Sequence, residues 1–211
     1  MTSRRQLIQG LGLPLLALLP QPQAAASAQS APRPRPGEAG WPSAVQWQAL
    51  RQQVGDALID PLSPLLACQR APDSEACARL FKALKNPYFL GDDPALTQTL
   101  GWVDAWTSQP SAHAVAARGT ADVVAAVNFA RQHRLRLVVK GGGHSYQGTS
   151  NAADSLLVWT RRMADVQLHQ AFVAQGCTAS TPSRAVSVAA GALWGAVYDA
   201  VTAAMCKAAA A

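Results

Sequence analysis

A chain of 211 residues allows one or two domains, and 49% hydrophobic against 14% charged residues excludes a disordered polymer. The formal charge of +6 invites a nucleic-acid reading, but Arg4, Arg5, Arg33 and Arg35 precede the first acidic residue, Glu38, and supply most of it. No Lys/Arg cluster interleaved with aromatic residues follows, so no nucleic-acid partner is expected.

Residues 1–28 have the make-up of an export signal. Arg4 and Arg5 give a charged start, Leu11 to Leu19 a short apolar run broken by Gly12 and Pro14, and Ala24–Ala28 two overlapping A-x-A patterns. The run is too short to span a bilayer, so no membrane association is expected beyond the signal itself. The opening SRRQLIQG resembles a twin-arginine signal; the alternative is an ordinary secretory signal that happens to hold two arginines. Either gives a periplasmic or extracellular protein. Residues 29–40, opening QSAPRPRPG, are a Pro-rich linker with nothing to pack.

Residues 41–106 are expected to form a helical N-terminal region. Val45, Ala49, Val54 and Leu58 recur at helical spacing within residues 43–60. Cys77, Leu80, Phe81 and Leu84 share one face of a second helix, ended by Asn86-Pro87. Cys68 and Cys77 flank a turn containing Pro72 and Asp73; they could close a disulfide loop or remain two free thiols. Residues 90–106 are rich in turn formers and tryptophan. No CxxC occurs and no histidine joins a cysteine at zinc-ligand spacing, so no metal site is expected.

The pattern changes after Pro110. His113–Arg118 predicts a strand. Thr120 predicts an N-cap, with Asp122 in the first turn and a stripe of Val123, Val124, Val127 and Ala130 to about His133. Leu135–Val139 predicts a buried strand. Strand, helix and strand make a βαβ unit, hence a parallel pair with a right-handed crossover. Further strands are expected at Ser155–Trp159, Val166–Phe172 and Ala185–Ala189. Gly191 then breaks the chain before an amphipathic helix carrying Leu193, Trp194, Val197, Tyr198 and Val201, with Trp194 and Tyr198 expected in the core.

The chemistry is expected in VVKGGGHSYQGTS, Val138 to Ser150, at the carboxyl end of a strand. Three glycines permit backbone closed to other residues, and their N–H groups can form an anion-binding nest. A Walker A loop needs a lysine that is absent, and the Rossmann fingerprint needs glycine where Tyr146 stands. Val139, Lys140, Gly141, Gly142, Gly143, His144, Ser145, Tyr146 and Gly148 are the candidate cofactor-binding residues. Tyr146 either lines the ligand or packs. Alternatively, the whole segment is no more than a loop of tight turns. His113, His133 and His169 are scattered, Asp154 and Asp165 suit turns, and no Ser/His/Asp arrangement assigns a catalytic residue.

From about Trp106 to Ala203 the order AVAARGTADVVAAVNFARQH, LRLVVKGGGHSYQG and VSVAAGALWGAVYDAV resembles the PCMH-type FAD-binding domain of the vanillyl-alcohol oxidase and berberine-bridge-enzyme-like oxidases. The resemblance implies an α+β fold, with residues 107–204 as the first, βαβ-containing part of that domain. It implies FAD, its pyrophosphate wrapped by the glycine loop and its isoalloxazine bonded covalently to His144, or only hydrogen-bonded by it. A small-molecule CH–OH substrate, alcohol or sugar, oxidised by hydride transfer, is the expected activity. The alternatives are an inactive fragment, a flavin-binding module without catalysis, or a binding domain without flavin.

The family is expected to continue with a second flavin segment of QGGGC type and a substrate domain. Residues 205–211, Met-Cys-Lys-Ala-Ala-Ala-Ala, stand in its place. Codons for that string, read two bases later, encode Val-Gln-Gly-Gly-Gly-Cys, so a frameshift before the tail is expected. The alternative is a gene that ends in an alanine-rich tail.

Overall fold

Ser43 starts the first helix, α1 (Ala44–Val54), with a reciprocal capping box: its Oγ accepts from the Gln46 N–H at 3.4 Å, and Gln46 Oε1 accepts from the Ser43 N–H at 2.7 Å. This chain is seen in a computed structural model that describes residues 32–177 and 181–209. The export signal expected at 1–28 lies outside them. Gly55, at φ 62°, ends α1 and leads through a 3-10 turn into a two-residue strand, β1 (Leu58–Ile59). Helical spacing therefore fails beyond Val54. Leu58 is buried in a strand, opposite Val115, while Val45 is 78% exposed.

Two short helices follow, α2 (Leu65–Arg70) and α3 (Glu75–Ala83), and the Cys68–Cys77 disulfide joins them. Ser74 caps α3 by accepting from the Cys77 N–H at 3.2 Å. Asn86 likewise caps α4 (Pro87–Gly91), whose first residue is the helix-compatible Pro87. A hairpin of β2 (Gly101–Trp102) and β3 (Trp106–Thr107) completes this region, which is less purely helical than its spacing predicts.

The main sheet is built from β4 (His113–Ala116), β5 (Arg136–Lys140) and β6 (Ser155–Trp159), with α5 (Thr120–Gln132) between β4 and β5. Its order is β1-β4-β6-β5, parallel except for the antiparallel β1. The expected parallel strands exist, but β4 and β5 do not pair with each other. β6 lies between them, and all five of its residues are buried, as a continuous apolar run with both faces covered requires. One core of Leu50, Val54, Val115, Phe129, Leu156 and Val158 lies on one side; Ala114, Ala116, Leu157 and Trp159 form a second. The architecture is the α+β class expected from the sequence.

Helix α5 departs from expectation in two ways. Gly119, not Thr120, is the N-cap, and no side chain caps it. The buried stripe is Asp122, Ala126, Phe129 and Ala130, leaving Val124 and Val127 exposed. The larger ring decides the rotation: Phe129 packs on Trp47 with centroids 4.7 Å apart, and burying a phenyl ring gains about 2–3 kcal/mol where a valine gains less. The chain closes with an antiparallel hairpin, β7 (Val166–Phe172) and β8 (Ser183–Val188), and a helix, α6 (Trp194–Ala209). Gly191 makes that turn possible, because a Cβ there would collide with the Thr160 carbonyl. No described helix is long and apolar enough to cross a membrane.

Candidate functional site

Strand β5 ends at Lys140, and the glycine loop leaves it at the carboxyl edge of the sheet, next to the central strand. Lys140 turns inward. It is 1% exposed, and its ammonium donates to the backbone carbonyls of Asp93 and Leu96. Burial pushes its pKa down to about 8, with the Asp93 carboxylate acting in the opposite direction. Lys140 thus fastens the loop to residues 93–96 rather than presenting a charge to a ligand. Gly143, at φ 73°, lies over the lysine stem, where a Cβ would come 3.0 Å from Cε.

The amides of Gly142, Gly143 and His144 donate to no acceptor among the described residues; Gly142 and His144 line a cavity beside the loop, whereas Gly143 is buried. His144 is exposed, its Nδ1 2.6 Å from Gln98 Oε1. Gln98 also donates from Nε2 to the Tyr146 hydroxyl at 3.3 Å and from its backbone N–H to the Gly143 carbonyl at 3.1 Å. Tyr146 is 63% exposed, so it is no core residue, and its carbonyl accepts from the Trp102 indole at 3.0 Å. Ser145 faces its own turn: its Oγ accepts from the Thr149 N–H at 3.2 Å. Gly148, at φ 70°, accommodates the Trp106 ring, and Val139 is exposed.

A cavity of about 270 Å³ opens beside the loop, lined by Tyr88, Asp92, Gly142, His144, Arg161 and Trp194 among others. Arg161 donates from Nε to Asp92 Oδ1 at 2.6 Å and from NH1 to the Gly191 carbonyl at 3.2 Å, which holds the start of α6 near the loop. Trp194 and Tyr198 are exposed and stacked on each other, not in the core. Spacing on one helix cannot tell an inward stripe from an exposed one; the exposure of Trp194 beside the cavity does. The remaining histidines stay apart from this site. His113 bonds Asp60, His133 packs on Phe129, and His169 bonds Ser187.

The segment bearing the loop matches a known family. Residues 111–208 align with the FAD binding domain. That segment is similar to the family over a little under half of the chain. The FAD-linked oxidoreductase penH of Penicillium thymicola is 29% identical over 180 residues, covering 76% of this chain and 31% of penH. The FAD-linked oxidoreductase easE of Claviceps fusiformis is 28% identical over 184 residues, covering 76% of this chain and 32% of easE. The chain thus spans about a third of the relatives it matches. The VAO-type flavoprotein MtVAO615 of Myceliophthora thermophila superposes with a TM-score of 0.65 at 25% identity, covering 76% of this chain and 32% of that one. MtVAO713 of the same organism gives 0.69 at 23% identity, a likeness of fold.

The residues present fit an FAD binding domain. A Cβ on Gly142 would come within 2.8 Å of the His144 ring, so glycine lets loop backbone and imidazole share one wall of the cavity with the ring in this position. The free amides suit a pyrophosphate, and the start of α6 lies across the cavity from them. The volume is below the ~300–1,000 Å³ of a site for a drug-sized ligand, so it suits one part of a dinucleotide.

Proposed function

We propose that this chain is the N-terminal part of an exported FAD-dependent oxidoreductase that oxidises a small CH–OH substrate, an alcohol or sugar, with His144 as the covalent anchor of the flavin. The observation that carries this reading is the exposed imidazole of His144 at the mouth of the cavity, directly after the free amides of the glycine loop. FAD, when bound, supplies the acceptor for a hydride from the substrate carbon. Gly142 and His144 would hold the pyrophosphate by their amides, Trp194 would offer an aromatic face, and Arg161 keeps α6 in place through Asp92 and Gly191. A covalent anchor is of particular use after export, where lost cofactor is not replaced; Arg4, Arg5 and the apolar run behind them support that location.

Denaturing gel electrophoresis of the flavin-loaded protein tests the anchor. Flavin fluorescence should stay with the wild-type band and leave His144→Ala. Release of all flavin from denatured wild type would defeat the covalent assignment. Bleaching of the flavin absorbance by alcohols or sugars tests the activity.

A further inference from the structure

We propose that Gln98 is the positioning residue of the glycine loop, fixing both the ring and the proton of His144. Gln98 lies 46 residues before His144, outside the motif, and bonds three residues of the span 143–146. Its backbone N–H holds the Gly143 carbonyl at 3.1 Å, its Oε1 faces His144 Nδ1 at 2.6 Å, and its Nε2 donates to the Tyr146 hydroxyl at 3.3 Å.

The backbone that carries Gln98 is itself fixed. Leu96 and Thr97 are fully buried, the Leu96 carbonyl accepts from Lys140, and Thr97 Oγ1 bonds the Thr99 carbonyl at 2.9 Å and Ser108 Oγ at 3.1 Å. An exposed side chain on a buried stem is suited to orienting another exposed group. Its removal uncovers no core.

The fork also determines a proton. Gln98 Oε1 can only accept, so its bond with Nδ1 at 2.6 Å requires a hydrogen on Nδ1, while Nε2 of the same amide donates to Tyr146. The amide oxygen therefore faces the ring, the amide N–H faces Tyr146, and Nδ1 carries the hydrogen. Neutral His144 then keeps its lone pair on Nε2, the atom that lies over Gly142. Free histidine in water prefers the opposite tautomer, so the assignment is measurable.

The test is a long-range proton–nitrogen spectrum of flavin-free protein with nitrogen-labelled histidine, His144 being assigned by its loss in His144→Ala. Wild type should show the Nδ1–H form. Gln98→Leu should revert toward the Nε2–H form, and Gln98→Glu, which keeps an acceptor in place, should restore Nδ1–H. Tyr146→Phe, which frees the other end of the amide, should give a mixture and serves if Gln98→Leu is poorly folded. An Nε2–H wild type, or an Nδ1–H signal unmoved by Gln98→Leu, overturns the proposal.

The consequence for cofactor rests on the proposed flavin site and is read separately. Uptake of added FAD should slow about tenfold in Gln98→Leu, the weight of one hydrogen bond, and recover in Gln98→Glu. If the tautomer responds as expected but wild type takes up no FAD, the assignment for Gln98 stands and the flavin reading fails.

Discussion

The ammonium of Lys140 donates to the carbonyl of Leu96 beneath the glycine loop, so a strand end and a segment 44 residues earlier are joined under the site. Lys140→Met keeps the stem and removes the donors, leaving the Asp93 and Leu96 carbonyls unpaired. Urea unfolding should show a loss of about 2 kcal/mol. The pH dependence has a definite sign. The folded pKa, about 8, lies below the ordinary lysine value of 10.5, so between them the unfolded chain binds a proton that the folded chain does not. Stability from this group should rise as pH climbs from about 8 toward 10.5, and Lys140→Met should lose that rise. The neutral amine still has two hydrogens for its two carbonyls.

Gly142→Ala places a methyl 2.8 Å from the His144 ring and must displace it. With positive φ absent at this position, the cost falls on the imidazole and not on the backbone. Thermal unfolding should shift little, while flavin retention after denaturation should fall severalfold. Gly148→Ala should behave oppositely: its φ of 70° and the Trp106 ring both exclude a side chain, so stability should fall by about 2 kcal/mol. Comparison of melting temperature with flavin content separates the two effects.

The glycine loop was legible because glycine runs are local signals, and the strands around it because their apolar runs are short and bounded. The pairing of β4 and β5 through β6 was not, since β6 follows both in the chain and claims the central place by being apolar on both faces. The rotation of α5 was hidden for a similar reason: Val123, Val124, Val127 and Ala130 form a stripe on paper, but Trp47, from another helix, chooses Phe129, so Val123 and Ala130 stay at the core while Val124 and Val127 turn outward. At the site, Gln98, Arg161 and Trp194 carried no motif. Gln98 and Arg161 act through partners 46 and 69 residues away, and Trp194 sits at a helix start that hydrophobic spacing assigns to the core.

The disulfide between Cys68 and Cys77 ties α2 to α3 across a separation of nine residues. Closing so short a loop stabilises by about 2–3 kcal/mol through the unfolded chain. Reductant, or Cys68→Ser with Cys77→Ser, should lower the melting temperature. The main sheet lies apart from this helical pair, so its far-ultraviolet strand signal should persist. An unchanged melting temperature on reduction would mean that the bond constrains nothing that unfolds cooperatively.

Arg118 and Asp122 link the N-terminal helices to the sheet. The Arg118 backbone N–H and Nε both donate to Asp122 Oδ2, at 3.0 and 3.1 Å, while NH1 reaches Asp56 and NH2 the Val54 carbonyl, each at 2.7 Å. Burial of Asp122 opposes its ionisation, but the bonds from Arg118 outweigh it and hold the carboxyl below its ordinary range. Its folded pKa is therefore below the unfolded value of 3.8: the stabilisation is present above about pH 4 and is lost as pH falls through the folded value. Asp122→Ala should lower stability near neutrality, by less than breaking a fully buried pair because Arg118 is half exposed. Acid titration of stability should be shallower in that variant than in wild type. An equal acid slope in the two proteins would place the acid sensitivity elsewhere.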